Sequence, residues 1–567
     1  MRILFLAHSF NSLTQRLFVE LREEGHEVSV EFDINDAVTE DAVQLFAPDL
    51  IIAPFLKRAI PASVWRRYTC FIVHPGIIGD RGPSALDWAI LDAECRWGVT
   101  VLEANADMDA GDIWASVEFP MRNASKSSLY RGELTRAAVA AVRLAVARFQ
   151  GRVFRPVPLA EAVCRGRQRP PARQTDRQIL WHEDPTHTVL RKIRSADGFP
   201  GVKTELAGRE LQDFDARPAS DYSGTPGDLL AVSGPAVAVA TADGAVWIGH
   251  CTDAESAHPF KLPASLVLAE ETLALPTVAQ CCEDGYRDIV VARQGDVAVI
   301  EFDFYNGAMG TEQCERLRET YVDCCKSGPR VIVLAGGRDF WSNGMHLNLI
   351  EASASPADES WRNINAIDDL AEAIIRTRDC LTIATLGGNT GAGGVFLARA
   401  ADRVWAHEDV VLNPHYKDMG NLFGSEYWTY LMPRVCGGAK ADSISAARLP
   451  MGVQEASRLG LVDAVVSGER EAFQAVVGER ATELACSADF DRELQHKVMR
   501  RDTDEASRPL ADYRRDELER MRQNFYGFDP SYHIARYNFV YKVPRSHTPL
   551  TIARHRRVSS PEVRQAL

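Results

Sequence analysis

The 567-residue sequence predicts a multidomain α/β protein. Three observations carry that reading. The chain is too long for one hydrophobic core, because single cores stop growing beyond about 250–300 residues. Its composition, 46% hydrophobic and 25% charged, is that of an ordinary globular protein able to bury large cores. Apolar runs of strand length alternate with segments of helical period, the pattern of sheets wrapped by helices.

Residues 2–8 form a short apolar run, Leu13, Leu17 and Leu21 recur at helical spacing, and Gly25 closes that helix. Val28, Val30 and Phe32 then alternate as a strand, and further strands are predicted at Leu50–Ala53 and Cys70–Val73. This β-α-β opening implies a parallel sheet with ligand sites at the carboxyl ends of its strands. No Gly-x-Gly-x-x-Gly turn follows the first strand, so nicotinamide dinucleotide binding is not supported. An apolar helix at Leu134–Phe149 ends the unit, which spans 1–155. Arg152–Gln174, rich in Arg, Pro and Gln, reads as a linker. Beyond it, Val237/Val239 and Val246/Ile248 alternate around Asp243–Gly244, a hairpin signal. Residues 156–278 are therefore a linker and a small OB-like β domain. A third α/β unit, 279–468, opens with strands at Val290–Ala292 and Val297–Phe302. A helix carrying Cys314 follows, then a buried strand Val331–Leu334 and two glycine-containing loops that each open into a helix. Residues 469–567 read as a charged helical extension with a Tyr/Phe-rich segment at Phe525–Tyr541, read as core, and a solvated basic tail at Arg554–Arg557.

The net charge of -14 argues against nucleic acid or an acidic membrane as the main partner. No apolar run has membrane-spanning length and the amino terminus is apolar too briefly for a signal peptide, so the expected location is the cytoplasm. The twelve cysteines are scattered without a Cys-x-x-Cys pair, so no metal is expected and they read as core residues.

Two regions carry chemistry. The stretch FIVHPGIIGDRGPSALDWAI puts His74 just past a strand, then a turn-rich loop, then a helix start with Pro83 and a Ser84-x-x-Asp87 capping box. GVTVLEANADMDAGDIWA carries Asp109 in a turn after another strand. A histidine and a carboxylate on strand-end loops suit acyl transfer, one managing protons while the other orients or relays. The whole pattern resembles the formyltetrahydrofolate-dependent transferases and hydrolases, such as methionyl-tRNA formyltransferase. KIRSADGFPG at 192–201 looks like that family's C-terminal domain. The resemblance implies a Rossmann-like first domain, 10-formyltetrahydrofolate as formyl donor, and His74 and Asp109 as catalytic residues. It also implies that Ile77, Ile78, Gly79, Asp80, Arg81, Gly82 and Pro83 line the folate and acceptor pocket. The family has an Asn two residues before the histidine; here Ile72 stands there. Losing one oxyanion donor costs on the order of 3–4 kcal/mol in a hydrolase. A thiol acceptor, a better nucleophile near neutrality than an ammonium-held amine, would need less help.

The second region begins with VIVLAGGRDFWSNGMHLNLIE and continues in GGNTGAGGVFLARAADRVWA. These resemble the two oxyanion segments of the crotonase (enoyl-CoA hydratase/isomerase) superfamily. ARLPMGVQEASRLGLVDAVV matches that superfamily's closing pattern. The resemblance implies a crotonase fold, coenzyme A as ligand, and backbone N–H groups of Met345 and Gly393 on the thioester carbonyl, with Gly344 and Gly394 beside them. Two converging N–H groups, one at a helix start, polarise such a carbonyl. Phe396 stands where hydratases carry their first catalytic glutamate, and Asn413-Pro414-His415-Tyr416 lies near the second, so water addition is not expected. His415, Tyr416 and Glu426 are the candidates for a different polar constellation; His346 reads as structural.

Taken together, this order of modules, the Ile72 and Phe396 departures and the extended carboxyl end resemble a family of hydrogenase maturation factors. That implies formyl transfer from 10-formyltetrahydrofolate to coenzyme A, then splitting of formyl-CoA to CO and CoA. The CO would supply the iron of a [NiFe]-hydrogenase, with a hydrogenase large subunit or its assembly factors as partners. Two rivals follow from the same residues: an amine formyltransferase joined to an unrelated acyl-CoA enzyme, and a non-catalytic CoA-binding scaffold.

Overall fold

The computed structural model describes residues 1–557. Strands β1 (Arg2–Ala7), β2 (Glu27–Phe32), β3 (Leu50–Phe55), β4 (Cys70–His74), β5 (Arg96–Glu103) and β6 (Ile113–Pro120) form one sheet in the order β2-β1-β3-β4-β5-β6. The first four run parallel, but β5 and β6 are antiparallel to their neighbours, so the sheet is mixed rather than parallel. No crossover helix lies in the 104–112 connection, and a strand reached by a plain loop returns antiparallel. Helices Ser12–Glu23 and Thr135–Gly151 bury one face of the sheet; Asp36–Phe46 and Ala62–Trp65 cover the other.

The Arg152–Gln174 segment is not a free spacer. Its backbone pairs with the loop after β4: the N–H groups of Arg165 and Gly166 donate to the Ile78 carbonyl, the Arg81 N–H donates to the Arg167 carbonyl, and the Arg169 N–H donates to the Arg81 carbonyl. Glycine is required on both sides of this approach. A methyl group on Gly82 would lie 2.4 Å from the Arg169 carbonyl, and one on Gly166 2.0 Å from the Asp80 nitrogen.

Strands β7 (Val202–Leu206), β8 (Arg209–Pro218), β9 (Leu229–Ser233), β10 (Ala236–Ala240), β11 (Ala245–Thr252) and β12 (Leu262–Pro263) form an antiparallel sheet. The hairpin at Asp243–Gly244 has Val237 opposite Ile248 and Val239 opposite Val246.

The third unit builds two sheets at once. β13 (Ile289–Gln294), β14 (Val297–Phe302), β15 (Val331–Gly336), β17 (Leu381–Leu386), β19 (Arg403–His407) and β22 (Ala464–Val466) form the larger. β16 (Phe340–Ser342), β18 (Asn389–Gly391), β20 (Val411–Asn413) and β21 (Met451–Gly452) form the smaller. Three times a long strand is followed by a short one on the second sheet, and the chain that leaves each short strand carries the predicted acyl-CoA residues. Cys314, Leu317, Tyr321 and Cys324 share the buried face of helix Thr311–Lys326.

Two expectations for the extension need correction. Phe525, Tyr532 and Val540 pack inward, whereas Phe528, Ile534, Tyr537 and Phe539 are exposed, so the aromatic segment is only half core. The Arg554–Arg557 stretch is not a solvated tail. Ile552 enters the core of the first unit and its carbonyl accepts from Val30 N–H. His555, Arg556 and Thr548 all bond Glu31, which is fully buried on β2. A buried carboxylate must be paired, and the tail is what pairs it. Among the described residues no helix is long and apolar enough to cross a membrane.

Candidate active site

The sequence places His74 at the end of β4, and the structure closes it between two carboxylates. Nε2 lies 2.9 Å from Asp80 and Nδ1 3.4 Å from Asp109. Burial opposes a charged ring, but these two acids outweigh it and lift His74 to about 9, so the imidazole is a cation at neutral pH. Burial likewise opposes the Asp109 carboxylate, which His74 and the Gly82 N–H hold below its usual range. Thr100 and Trp97 pin the carbonyls of Gly76 and Pro75, fixing the loop that starts at the histidine. Ile72, two residues earlier on the same strand face, brings an apolar side chain where an amide donor would be.

Asp80 was read only as a pocket liner; its direct bond to His74 went unseen. Arg169, on the segment read as linker, lies 3.6 Å from Asp80 and was missed entirely. The predicted capping box is not made. Ser84 Oγ accepts from the Ala172 N–H of the returning linker, and Asp87 pairs at 3.0 Å each with Arg177, just past that linker, and with Lys126 of helix Lys126–Leu129.

In the third unit Gly344, in a left-handed conformation (φ 75°), approaches the Gly393 amide: a methyl group on Gly344 would lie 3.5 Å from that nitrogen. Gly393 opens helix Gly393–Arg399, so its N–H has no acceptor within the helix. A methyl group on Gly394 would meet the Ser342 carbonyl at 2.5 Å, and one on Gly393 would lie 2.0 Å from Oε1 of Glu426. The glycines thus let the two glycine-rich segments and the Glu426 carboxyl converge. Met345, next to Gly344, is half-buried beside the same core.

Glu426 is 1% exposed. Its Oε2 lies 2.5 Å from the Tyr416 hydroxyl and 3.2 Å from Ser425 N. Burial, and then the neighbouring Asp368, push it up to about 8. Phe396 stacks on the Tyr416 ring at 5.1 Å and supplies an apolar wall where hydratases have an acid. His415 does not join this cluster. Its Nδ1 is buried without a partner, and its charged neighbours are Asp418 and Arg448. His346 caps its own helix by accepting from the Leu349 N–H, and burial drives it down to about 3, which fits a neutral structural ring.

The first and third units meet across a shared boundary. Asn413, whose carbonyl accepts from Ala392 beside Gly393, donates its side chain to Gln15 of the first unit at 3.0 Å. Nearby Asp339 pairs with Ser128 and Arg131. Arg122, Arg131, Arg194, Arg217 and Arg338, with Asp197, Asp215, Asp303 and Asp339, line a cleft where the three units come together.

Comparison with known proteins finds three family models in the same order, the third running past residue 468 into the helices read as an extension. A formyl transferase model matches residues 33–141, a formyl transferase C-terminal domain model 172–258, and an enoyl-CoA hydratase/isomerase model 293–524. The hydrogenase maturation factor HoxX of Bradyrhizobium diazoefficiens is 57% identical over 98% of this chain and 97% of its own. The chain belongs to the HoxX family of hydrogenase maturation factors. HypX from Aquifex aeolicus, solved in complex with tetrahydrofolic acid, superposes with a TM-score of 0.95 at 46% identity, covering 99% of both chains. A methionyl-tRNA formyltransferase of Anaeromyxobacter dehalogenans is 26% identical over 37% of this chain and 69% of its own. Family membership therefore extends over both centres rather than over either half alone.

Proposed function

We propose that the protein moves a formyl group from 10-formyltetrahydrofolate to coenzyme A and then splits formyl-CoA into CO and free CoA, the CO serving hydrogenase maturation. The observation that carries this is the presence of two buried proton-handling centres in one chain, His74 between two acids and Glu426 against Gly393. The known relatives support it: one is a hydrogenase maturation factor by name, and another holds tetrahydrofolic acid.

His74 and Asp109 act at the folate centre, where the loop from Ile77 to Pro83 lines the pocket. With Ile72 providing no donor, the cationic His74 supplies positive charge beside the reacting carbonyl. At the second centre the N–H groups of Met345 and Gly393 polarise the thioester carbonyl. Glu426, with Tyr416, gives its proton to sulfur and takes the formyl proton in its place. The step balances: the C–H electrons become the carbon lone pair of CO, the C–S electrons leave with sulfur, and one proton moves from carbon to sulfur. Phe396 keeps water from the thioester, which would otherwise yield formate. The reaction takes place in the cytoplasm, and a hydrogenase subunit or its assembly factors receive the CO.

The test supplies purified protein with labelled 10-formyltetrahydrofolate and CoA and traps CO with a haem protein. Labelled CO from the wild type and none from His74→Ala supports the reading. Labelled formate without CO identifies a hydrolase, a formylated amine identifies the bifunctional rival, and no consumption identifies a scaffold.

A further inference from the structure

Glu426 does not reach Gly393 by ordinary backbone geometry. Glu426 (φ 59°) and Tyr427 (φ 58°) are consecutive side-chain-bearing residues in the left-handed region, which persists only where the surroundings force it. Two acids from distant elements surround this turn. Asp368, on helix Pro356–Ile375, accepts the Glu426 N–H at 2.8 Å and the Ser425 hydroxyl at 2.7 Å. Glu517, on helix Leu510–Tyr526 of the extension, accepts the N–H groups of Tyr427 and Thr429 at 2.9 and 2.8 Å, and the Thr429 hydroxyl. Both acids are fully buried. On the same helix Met521 and Asn524 accept from the N–H groups of Gly424 and Phe423. Glu517, Met521 and Asn524, at spacings of four and three, share one face of that helix and meet residues 423–429.

We propose that Asp368 and Glu517 are positioning residues of the acyl-CoA centre. They hold the 425–429 turn in the form that presses the Glu426 carboxyl against Gly393, and through Glu517 the helix Leu510–Tyr526 becomes part of that centre. The inference rests on the reading that Glu426 handles protons there. Around Glu426 stand Tyr416 from the loop after β20, Asp368, Glu517, and the Cys314 thiol of helix Thr311–Lys326. The nearest cation, Arg514, is 4.0 Å from Asp368 and also pairs with Asp369 and Glu372. One guanidinium shared among several acids cannot neutralise three buried carboxyls. Burial and then Asp368 raise Glu517 as they raise Glu426, both to about 8, and burial raises Asp368 to about 6. Asp368 is thus both a clamp and the negative charge that keeps a proton on Glu426.

The charge role distinguishes positioning from mere support. Full-length D368N, E517Q, E517A and E426Q are assayed for CO release between pH 6 and 10, with 10-formyltetrahydrofolate consumption followed in parallel. In D368N, CO release falls at least tenfold, and the limb set by Glu426 moves to lower pH by about one unit, since a like charge is gone. The direction is the same whether Glu426 acts as acid or base. Consumption at the folate centre stays at the wild-type rate. E517Q, which keeps an acceptor oxygen, retains more CO release than E517A. Wild-type release by D368N, or reduced release with an unmoved limb, overturns the proposal. Should D368N fail to fold by circular dichroism, the comparison of E517Q with E517A decides, and equal release by the two overturns it. Undiminished CO release by E426Q instead overturns the underlying reading of the centre.

Discussion

Replacing Asp80 by Asn removes one of the two charges that keep His74 protonated while leaving an oxygen able to accept from Nε2. In the wild type His74 rises from 6.5 to about 9 although burial opposes the charge, a stabilisation of roughly 3 kcal/mol. The two carboxylates, at 2.9 and 3.4 Å, are its sources. One nearby opposite charge is worth about 1–3 pH units, so the ring in D80N should titrate about 1–2 units lower. The stability consequence has a definite sign. A group raised in the folded state contributes fully below its unfolded value and loses that contribution as pH rises through the folded value. Wild type should therefore exceed D80N in thermal stability most clearly below about pH 6.5, with the gap closing toward pH 9. The ring is followed directly by NMR of labelled histidine, assigned by comparison with H74Q, alongside melting curves from pH 6 to 10. A His74 in D80N that still titrates near 9, or a stability gap that does not change with pH, would refute the two-carboxylate account.

Three further perturbations test other parts of the molecule. Gly393→Ala drives a methyl group to 2.0 Å from Glu426 Oε1, and CO release should fall by about two orders of magnitude while 10-formyltetrahydrofolate is still consumed. Phe396→Ala empties the space under the Tyr416 ring; melting should drop by an amount equivalent to about 3–5 kcal/mol, and the ratio of formate to CO should rise. Glu31 is opposed by burial but held below its usual range by His555, Thr548 and Arg556. Its depressed value gives stability that is present above the ordinary carboxylate range and lost as pH falls through the folded value, so wild type should lead E31Q in urea midpoint near pH 7 and lose that lead in acid.

Local signals carried much of the architecture into the sequence. The β-α-β opening, the Asp243–Gly244 hairpin and the buried face of the helix with Cys314 all follow from periodicity and turn chemistry over a few residues. The glycine-rich segments likewise announced where backbones converge, and Gly393 and Gly344 do come together. What stayed hidden depends on contacts between distant segments. Asp80 looked like one loop residue among seven, and only the fold turns its carboxylate onto His74. Arg169 sits in a stretch whose composition is that of a linker, yet it pairs because the chain returns over the site. Glu517 lies in a helix crowded with charged residues, and although its spacing from Leu510, Met521 and Phe525 puts it on their face, only the fold shows which backbone groups it bonds. The basic tail misled for the same reason: its partner, Glu31, is more than 500 residues away in sequence.

The two departures from family pattern share a physical consequence. In the reaction proposed, neither centre gains or loses a proton overall. At the first, the thiol proton of CoA ends on the folate nitrogen that gives up the formyl group; at the second, the formyl proton ends on sulfur. Each centre therefore needs a protonated group that gives up its proton and takes one back within one turnover. An amide such as the missing Asn cannot do this, and a fully ionised surface glutamate does it poorly. Burial beside other acids moves Glu426 up to about 8, and paired carboxylates move His74 up to about 9. Ile72 and Phe396 then contribute by what they exclude, since an apolar wall removes the water that would compete for the formyl carbon at either station. A polar residue restored at Phe396 should accordingly admit water before it improves any other step, turning a source of CO into a source of formate.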